Sequence, residues 1–211
     1  RRYGEDWYEK WKEMTFRRMD SWGLNTVANW SDKNLGQSRR KAYVATLGGW
    51  GFSAETMGMP DVYDTNYAAE IDAAAKRQCL PLKDDPFLLG YFVGNEPPWP
   101  GREMDLINVI LEGVDTPMKS ALKKYLDEGD TPERRKSFVY DTYKKFITTV
   151  NSAIKKYDPN HLNLGLRFGG NPPDEIIKAS SNIGFDVFSL NIYGYSTYKD
   201  RLERIDNLSY N

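Results

Sequence analysis

Pro86–Pro100, PFLLGYFVGNEPPWP, is an apolar run that stops abruptly at Gly94, Asn95, Glu96 and two prolines. Leu88, Leu89, Tyr91, Phe92 and Val93 follow without polar alternation, the pattern of a strand buried on both faces in a parallel sheet covered by helices. Pro97 and Pro98 lack the N–H that a ladder needs and push the residues before them toward extended geometry, so the strand is expected to end at about Glu96. A carboxylate is thereby placed at the carboxyl end of a buried parallel strand, the edge of α/β sheets where ligands bind.

Upstream, Glu5 to Ser21 reads as an amphipathic helix with Trp7, Trp11 and Met14 on one face, closed by Gly23. Leu24–Asn29 (LNTVAN) and Ala42–Leu47 read as strands. The second runs into GGWGFSAETMGMPD, a glycine-rich loop carrying Trp50 and Phe52. Asn66–Cys79 is helical, with Tyr67, Ile71, Ala74 and Ala75 inward. Downstream, Met104 to about Gly129 holds one or two shorter helices. A long helix follows from about Pro132 to Tyr157, with Val139, Tyr143, Phe146, Val150, Ile154 and Tyr157 repeating every three or four residues. Thr131, Pro132 and Glu133 give its start signal. Leu162–Phe168 is the next strand, a short helix begins after Asn171, and Phe185–Tyr193 is the last strand.

Strands alternating with helices imply βα units, which fit either a (β/α)₈ TIM barrel or a doubly wound sheet. No glycine-rich phosphate fingerprint follows any strand, and this favours the barrel. Five strands are too few for it, so residues 1–211 are expected to form one incomplete α/β barrel domain, lacking one strand before Glu5 and two after Asn211.

The 29 basic and 30 acidic residues leave a formal charge of −1 with the signs interspersed, so no nucleic-acid partner is expected. No apolar stretch approaches the roughly 18 residues of a membrane span, and a soluble chain is expected. Cys79, the only cysteine, excludes an internal disulfide and reads as a small buried residue. One histidine and one cysteine provide neither a zinc set nor a triad that avoids His161, which follows a helix end and is expected to cap it or face solvent. A pair of carboxylates needs neither metal nor cofactor. Glu96 is the first candidate: a general acid needs a carboxyl beside apolar surface, and Tyr91, Phe92 and Trp99 are near in sequence. The plainer alternative is a strand-end ion pair with an arginine such as Arg167.

Gly94–Pro97, GNEP, resembles the Asn-Glu motif of the clan A retaining glycoside hydrolases. DPFLLGYFVGNE, DPNHLNLGLRF from Asp158 and FDVFSLNIY from Phe185 together resemble, in order, segments of glycoside hydrolase family 50, the β-agarases. The resemblance implies that the GNEP strand is the fourth of the barrel, so that strands two to six are present. It implies that Glu96 is the acid/base of a retaining enzyme acting on β-galactosidic linkages of an agarose-like polysaccharide, and that Asn95 contacts the sugar. It further implies that Asn29, Trp30, Trp50, Arg167, Asn191 and Tyr193 ring the same cleft, with Tyr193 as the tyrosine that orients the nucleophile; Trp99, between prolines and close to Glu96, reads from its position as a sugar platform. A polysaccharide substrate implies a secreted or periplasmic setting.

Retention needs a second carboxylate about 5–5.5 Å from the first. In this clan it ends strand seven, beyond Asn211. Asp186 falls inside a strand, Glu203 on an outer helix and Glu55 in a loop, so the nucleophile and the rest of the barrel are expected outside this sequence. The alternatives are another clan A activity, of β-galactosidase or mannanase type, or a carbohydrate-binding remnant without turnover.

Overall fold

A computed structural model describes residues 4–196 and 198–209. Its centre is a five-stranded, wholly parallel sheet built from β1 (Thr26–Val27), β2 (Ala42–Thr46), β3 (Leu88–Asn95), β4 (Leu162–Phe168) and β5 (Ser189–Leu190). The spatial order equals the chain order, and the sheet curls into a half-barrel. Strictly sequential order leaves no point at which the winding reverses, so the doubly wound alternative does not describe this sheet. The Pro86 stretch forms the middle strand, as its sequence suggested.

The helices follow from their caps and apolar stripes. They are α1 (Trp7–Ser21), α2 (Lys33–Gln37), α3 (Tyr67–Cys79), α4 (Glu103–Glu112), α5 (Pro117–Leu126), α6 (Pro132–Tyr157), α7 (Asp174–Ala179) and α8 (Lys199–Leu208). In α6 the Thr131 hydroxyl accepts from the Arg134 amide at 3.2 Å and Pro132 occupies the first turn, where its missing N–H costs nothing. Val139, Tyr143, Phe146, Val150 and Ile154 are buried on one face, and α6 packs along α3, which buries Ile71, Ala74, Ala75 and Cys79. Burial pushes the Cys79 thiol up to about 12, so it behaves as a small apolar group. No helix among the described residues is long and apolar enough to cross a membrane.

Several elements differ from the sequence expectation. Along α1 the buried residues are Phe16 and Met19, while Trp7 is 54% exposed. The outer strands are two residues each. β1 has lost its flanks because only Thr26 and Val27 find partners, opposite Ala42 and Tyr43. Ahead of β5, Phe185 tucks beneath Gly165, where a Cβ would meet its ring at 2.4 Å, and Asp186 turns to take Lys155 at 2.7 Å and the Asn163 amide at 2.7 Å. Helix α2 was not expected; Asp32 caps it by accepting from the Asn34 amide at 2.8 Å. β3 buries Leu88, Tyr91 and Val93, but Leu89 is 44% exposed and Phe92 is half-buried, so its burial is less complete than the apolar run implies.

At the amino ends of β3 and β4 lies a buried polar cluster. Tyr91 donates to Asp158 Oδ2 at 2.5 Å, His161 Nδ1 lies 2.7 Å from the same oxygen, and His161 Nε2 lies 3.0 Å from the Asp85 carbonyl. His161 is therefore buried within the fold and not in solvent. Burial raises Asp158, but the bonds from Tyr91 and His161 outweigh it and hold the carboxyl below the usual range. A carboxylate held low contributes stability that is complete above the ordinary aspartate value of about 3.9 and is lost as pH falls through the lower folded value. Asp158→Asn is expected to cost about 2 kcal/mol at neutral pH and to weaken the stability loss below about pH 4. Urea titrations at pH 7 and pH 3.5 measure both effects, and an equal deficit at the two pH values would contradict the assignment.

Candidate active site

The carboxyl ends of the five strands carry polar and aromatic residues, all but Thr46 singled out from the sequence. Asn29 and Trp30 follow β1, Thr46 ends β2, Asn95 ends β3 with Glu96 beyond it, Arg167 lies in β4, and Asn191 and Tyr193 follow β5. Pairing between β3 and β4 runs one residue past the assigned strand, because the Glu96 amide donates to the Arg167 carbonyl at 2.7 Å. Glu96 has φ +44° and Trp30 φ +68°, a region that side chains other than glycine rarely adopt and that clusters at functional sites.

Glu96 is not ion-paired to Arg167. Its Oε1 accepts from Asn191 Nδ2 at 2.7 Å and from the Tyr193 hydroxyl at 3.2 Å. Asn191 Nδ2 also donates to Asn95 Oδ1 at 3.1 Å. Among the described residues Oε2 has no hydrogen-bond partner. The apolar neighbours expected from the sequence point elsewhere, since Tyr91 is bonded to Asp158 and Trp99 packs on Tyr143.

The Arg167 guanidinium lies 4.8 Å from the ring centroid of Trp30 and 5.0 Å from that of Phe92. Among the described residues it forms no ion pair, and its buried Nε and Nη2 lack hydrogen-bond partners, as does Asn29 Nδ2. Asn29 Oδ1 accepts from Thr46 at 2.9 Å. A cleft of about 320 Å³ adjoins Asn95 and is lined by Trp30, Phe52, Pro97, Pro98 and Leu166 among others.

Two expected members of the cleft are elsewhere. Trp50 is 1% exposed and Trp99 2%, so both are core residues and neither offers a face to a sugar. Trp50 is held by Tyr67, whose hydroxyl donates to its carbonyl at 3.2 Å, and the Trp99 ring lies 5.3 Å from that of Tyr143. Trp30, at 76% exposure, is the tryptophan left facing outward here. Asp186 is tied to Lys155, Glu203 pairs with Lys199 at 3.3 Å, and Glu55 is exposed on a short 3₁₀ turn, so none of these carboxylates is brought to Glu96. Sequence reasoning named Phe52 only as part of the glycine-rich loop and did not single out Thr46 or Gly169. A Cβ on Gly169 would stand 3.3–3.5 Å from Glu96 Cγ, Cδ and Oε1; the only sequence hint was the Gly169-Gly170 pair at a strand end.

Tyr193 is held above the usual tyrosine range, first by its hydrogen bond to Glu96 and then by that carboxylate's charge. Glu96→Gln removes the charge, so the Tyr193 phenol is expected to titrate at lower pH, back toward about 10. ¹³C NMR of labelled tyrosine rings reads the shift, and an unchanged titration would mean that the contact is not made in solution. The tryptophans separate in a second measurement. Trp50→Ala is expected to cost about 3–5 kcal/mol of stability, whereas Trp30→Ala costs less than about 1 kcal/mol, both by urea denaturation.

No family model matches the sequence. β-Agarase B of Vibrio sp. (strain JT0107) is 27% identical across 92% of this chain and 26% of its own length. β-Agarase A of the same strain is 27% identical across 87% of this chain and 24% of its own. This chain therefore spans about a quarter of the length of these relatives. Among solved structures, an agarase superposes with a TM-score of 0.78 at 22% identity, over 97% of this chain and 34% of that one. An exo-β-agarase superposes with a TM-score of 0.76 at 23% identity, over 98% and 34%. Most of this chain is thus similar in sequence to β-agarases, and its half-barrel has the fold of the corresponding part of solved agarases.

Proposed function

We propose that this chain carries strands two to six of a (β/α)₈ glycoside hydrolase that cleaves β-galactosidic linkages of an agarose-like polysaccharide with retention of configuration. The observation that carries the reading is Glu96: a carboxyl at the carboxyl end of the middle strand, in left-handed backbone geometry, with one oxygen bonded by two neutral donors and the other without a partner among the described residues. The similarity to β-agarases supports the substrate class.

In this reading Glu96 first acts as acid. It gives its proton to the glycosidic oxygen as the bond from that oxygen to the anomeric carbon breaks and the bonding electron pair passes to the leaving oxygen. A second carboxylate, supplied by sequence beyond Asn211, bonds to the anomeric carbon from the opposite face. Glu96, now ionised, takes a proton from a water whose oxygen displaces that carboxylate. Asn95 holds the sugar beside the scissile bond, Trp30 offers it a flat face, and Asn29 and Arg167 supply donors along the cleft. The chemistry runs on two carboxylates and calls for no metal or cofactor.

In the full-length protein, Glu96→Gln is expected to lower hydrolysis of agarose oligosaccharides by about 10²–10⁴-fold. Reducing-end assays on the purified variant test this, and unchanged turnover rejects the acid/base role. The 211-residue chain alone is expected to bind such oligosaccharides weakly and to cleave none. Measurable hydrolysis by it would place the nucleophile within Arg1–Asn211.

A further inference from the structure

We propose that Asn191 is a positioning residue that sets both members of the Asn95–Glu96 pair: it assigns the transferable proton to Glu96 Oε2 and turns the Asn95 amide so that its N–H groups face the ligand. The proposal rests on the acid/base reading of Glu96 and goes beyond it in giving Asn191 a role through its neighbours instead of through the sugar.

A carboxyl oxygen that carries no proton only accepts, whether the group is ionised or protonated on its other oxygen, so the Asn191 atom 2.7 Å from Glu96 Oε1 is the amide nitrogen and not its oxygen. That nitrogen has two hydrogens. One is committed to Oε1, and the other points at the Asn95 side chain 3.1 Å away, which must present an acceptor. The Asn95 atom facing Asn191 is therefore Oδ1, which leaves Nδ2 on the side of the amide away from Asn191. One amide thus fixes a second, starting from a carboxylate.

The same bond differentiates the two oxygens of Glu96. Oε1 receives Asn191 at 2.7 Å and Tyr193 at 3.2 Å, which fills its acceptor capacity. A proton on Oε1 would collide with one of these donors. Oε2, without a partner among the described residues, is where a proton can reside and from which it can leave. The ligand atom next to Asn95 must correspondingly be an acceptor, a hydroxyl or ether oxygen, because Asn95 offers donors there.

The fold supplies the reach. Asn191 follows β5 and Glu96 follows β3, so the Asn191 side chain crosses the end of the intervening β4. Its backbone is anchored there, its amide donating to the Phe168 carbonyl at 2.9 Å. The next residue is Gly169, and a Cβ on it would stand 3.3–3.5 Å from the Glu96 carboxyl arm. A bare backbone at that point allows side chains from either side of β4 to meet.

The test uses the full-length protein, with kcat/KM for bond cleavage measured across pH on two substrates. One is an agarose oligosaccharide, whose leaving group needs a proton. The other is the matching 2,4-dinitrophenyl glycoside, whose leaving group does not. Asn191→Ala is expected to lose about 10²-fold on the oligosaccharide and less than about 10-fold on the aryl glycoside, because it acts through the proton donor. Its alkaline limb is expected to move to higher pH, since the carboxylate has lost a donor. Asn191→Asp, which keeps the shape but puts a second negative charge beside Oε1, is expected to move that limb further in the same direction. Equal losses on both substrates with an unmoved limb, or no loss at all, overturn the proposal. Should Glu96→Gln itself retain native turnover, the acid/base reading fails and takes this one with it. An inactive Glu96→Gln beside Asn191 variants with a native pH profile overturns only the role of Asn191.

Discussion

The register between β3 and β4 governs where everything else can stand. Their ladder pairs Asn95 with Arg167 and then continues through the Glu96 amide to the Arg167 carbonyl, so the backbone is held fast one residue before two prolines. With Pro97 unable to pair and Glu96 still bonded, the turn must be made at Glu96 itself, and its φ of +44° is the result. Such a conformation costs about 1–3 kcal/mol and persists only where its surroundings leave no alternative. Here they do not, because the strand behind it is locked among helices and the arm in front is held at Oε1 by Asn191 and Tyr193.

The lock lies at the far end of the same two strands. Tyr91 of β3 and His161, which precedes β4, both meet Asp158, the residue at which α6 ends. Each buried group finds a partner, so the cluster fixes how far β3 and β4 can slide, as a slip of one residue would leave a buried carboxylate without its donors. The aromatic core of α6 does the remaining work by volume: Tyr143 and Phe146 fill the space beneath Trp99, with Phe52 against Phe146. Trp50 and Trp99 belong to that core, and a large ring at the mouth of the sheet is as useful for sealing it as for binding. Burial decided between the two uses, and burial is the property that a residue's type does not reveal.

What the sequence disclosed, and what it withheld, follows the range of the forces involved. Long periodic elements were legible: α6 begins at Pro132 and ends at Tyr157 and β4 spans Leu162–Phe168, as read from spacing and caps alone. The outer strands were not, because an apolar stretch such as Phe185–Tyr193 becomes strand only where a partner lies alongside, and Lys155 and Gly165 drew Asp186 and Phe185 out of the ladder. Within the site, residues at strand ends could be nominated because sheet geometry sends them to one edge. Their mutual bonds could not, since Asn191 and Glu96 are separated in sequence by four helices and two strands. Gly169 was invisible for a further reason: its contribution is the space it leaves.

Arg167 shows why the site is wired through neutral groups. A guanidinium at the end of β4 could have paired with Glu96, the arrangement that its sequence position made plausible, and such a pair would hold the carboxyl ionised and tie down both its oxygens. Instead the cation lies against the faces of Trp30 and Phe92. An aromatic face attracts a cation without supplying a counter-charge, at about 0.5–2 kcal/mol, so the guanidinium is placed without neutralising it. Its effect on Tyr193 is a lowering one, opposed and outweighed by Glu96, which touches the phenol directly while Arg167 acts only through space. The carboxyl is thereby positioned by an amide and a phenol, donors that orient it without fixing its charge. In the acid/base role proposed for Glu96 the group must both release and recover a proton, which such neutral donors permit and a salt bridge would not.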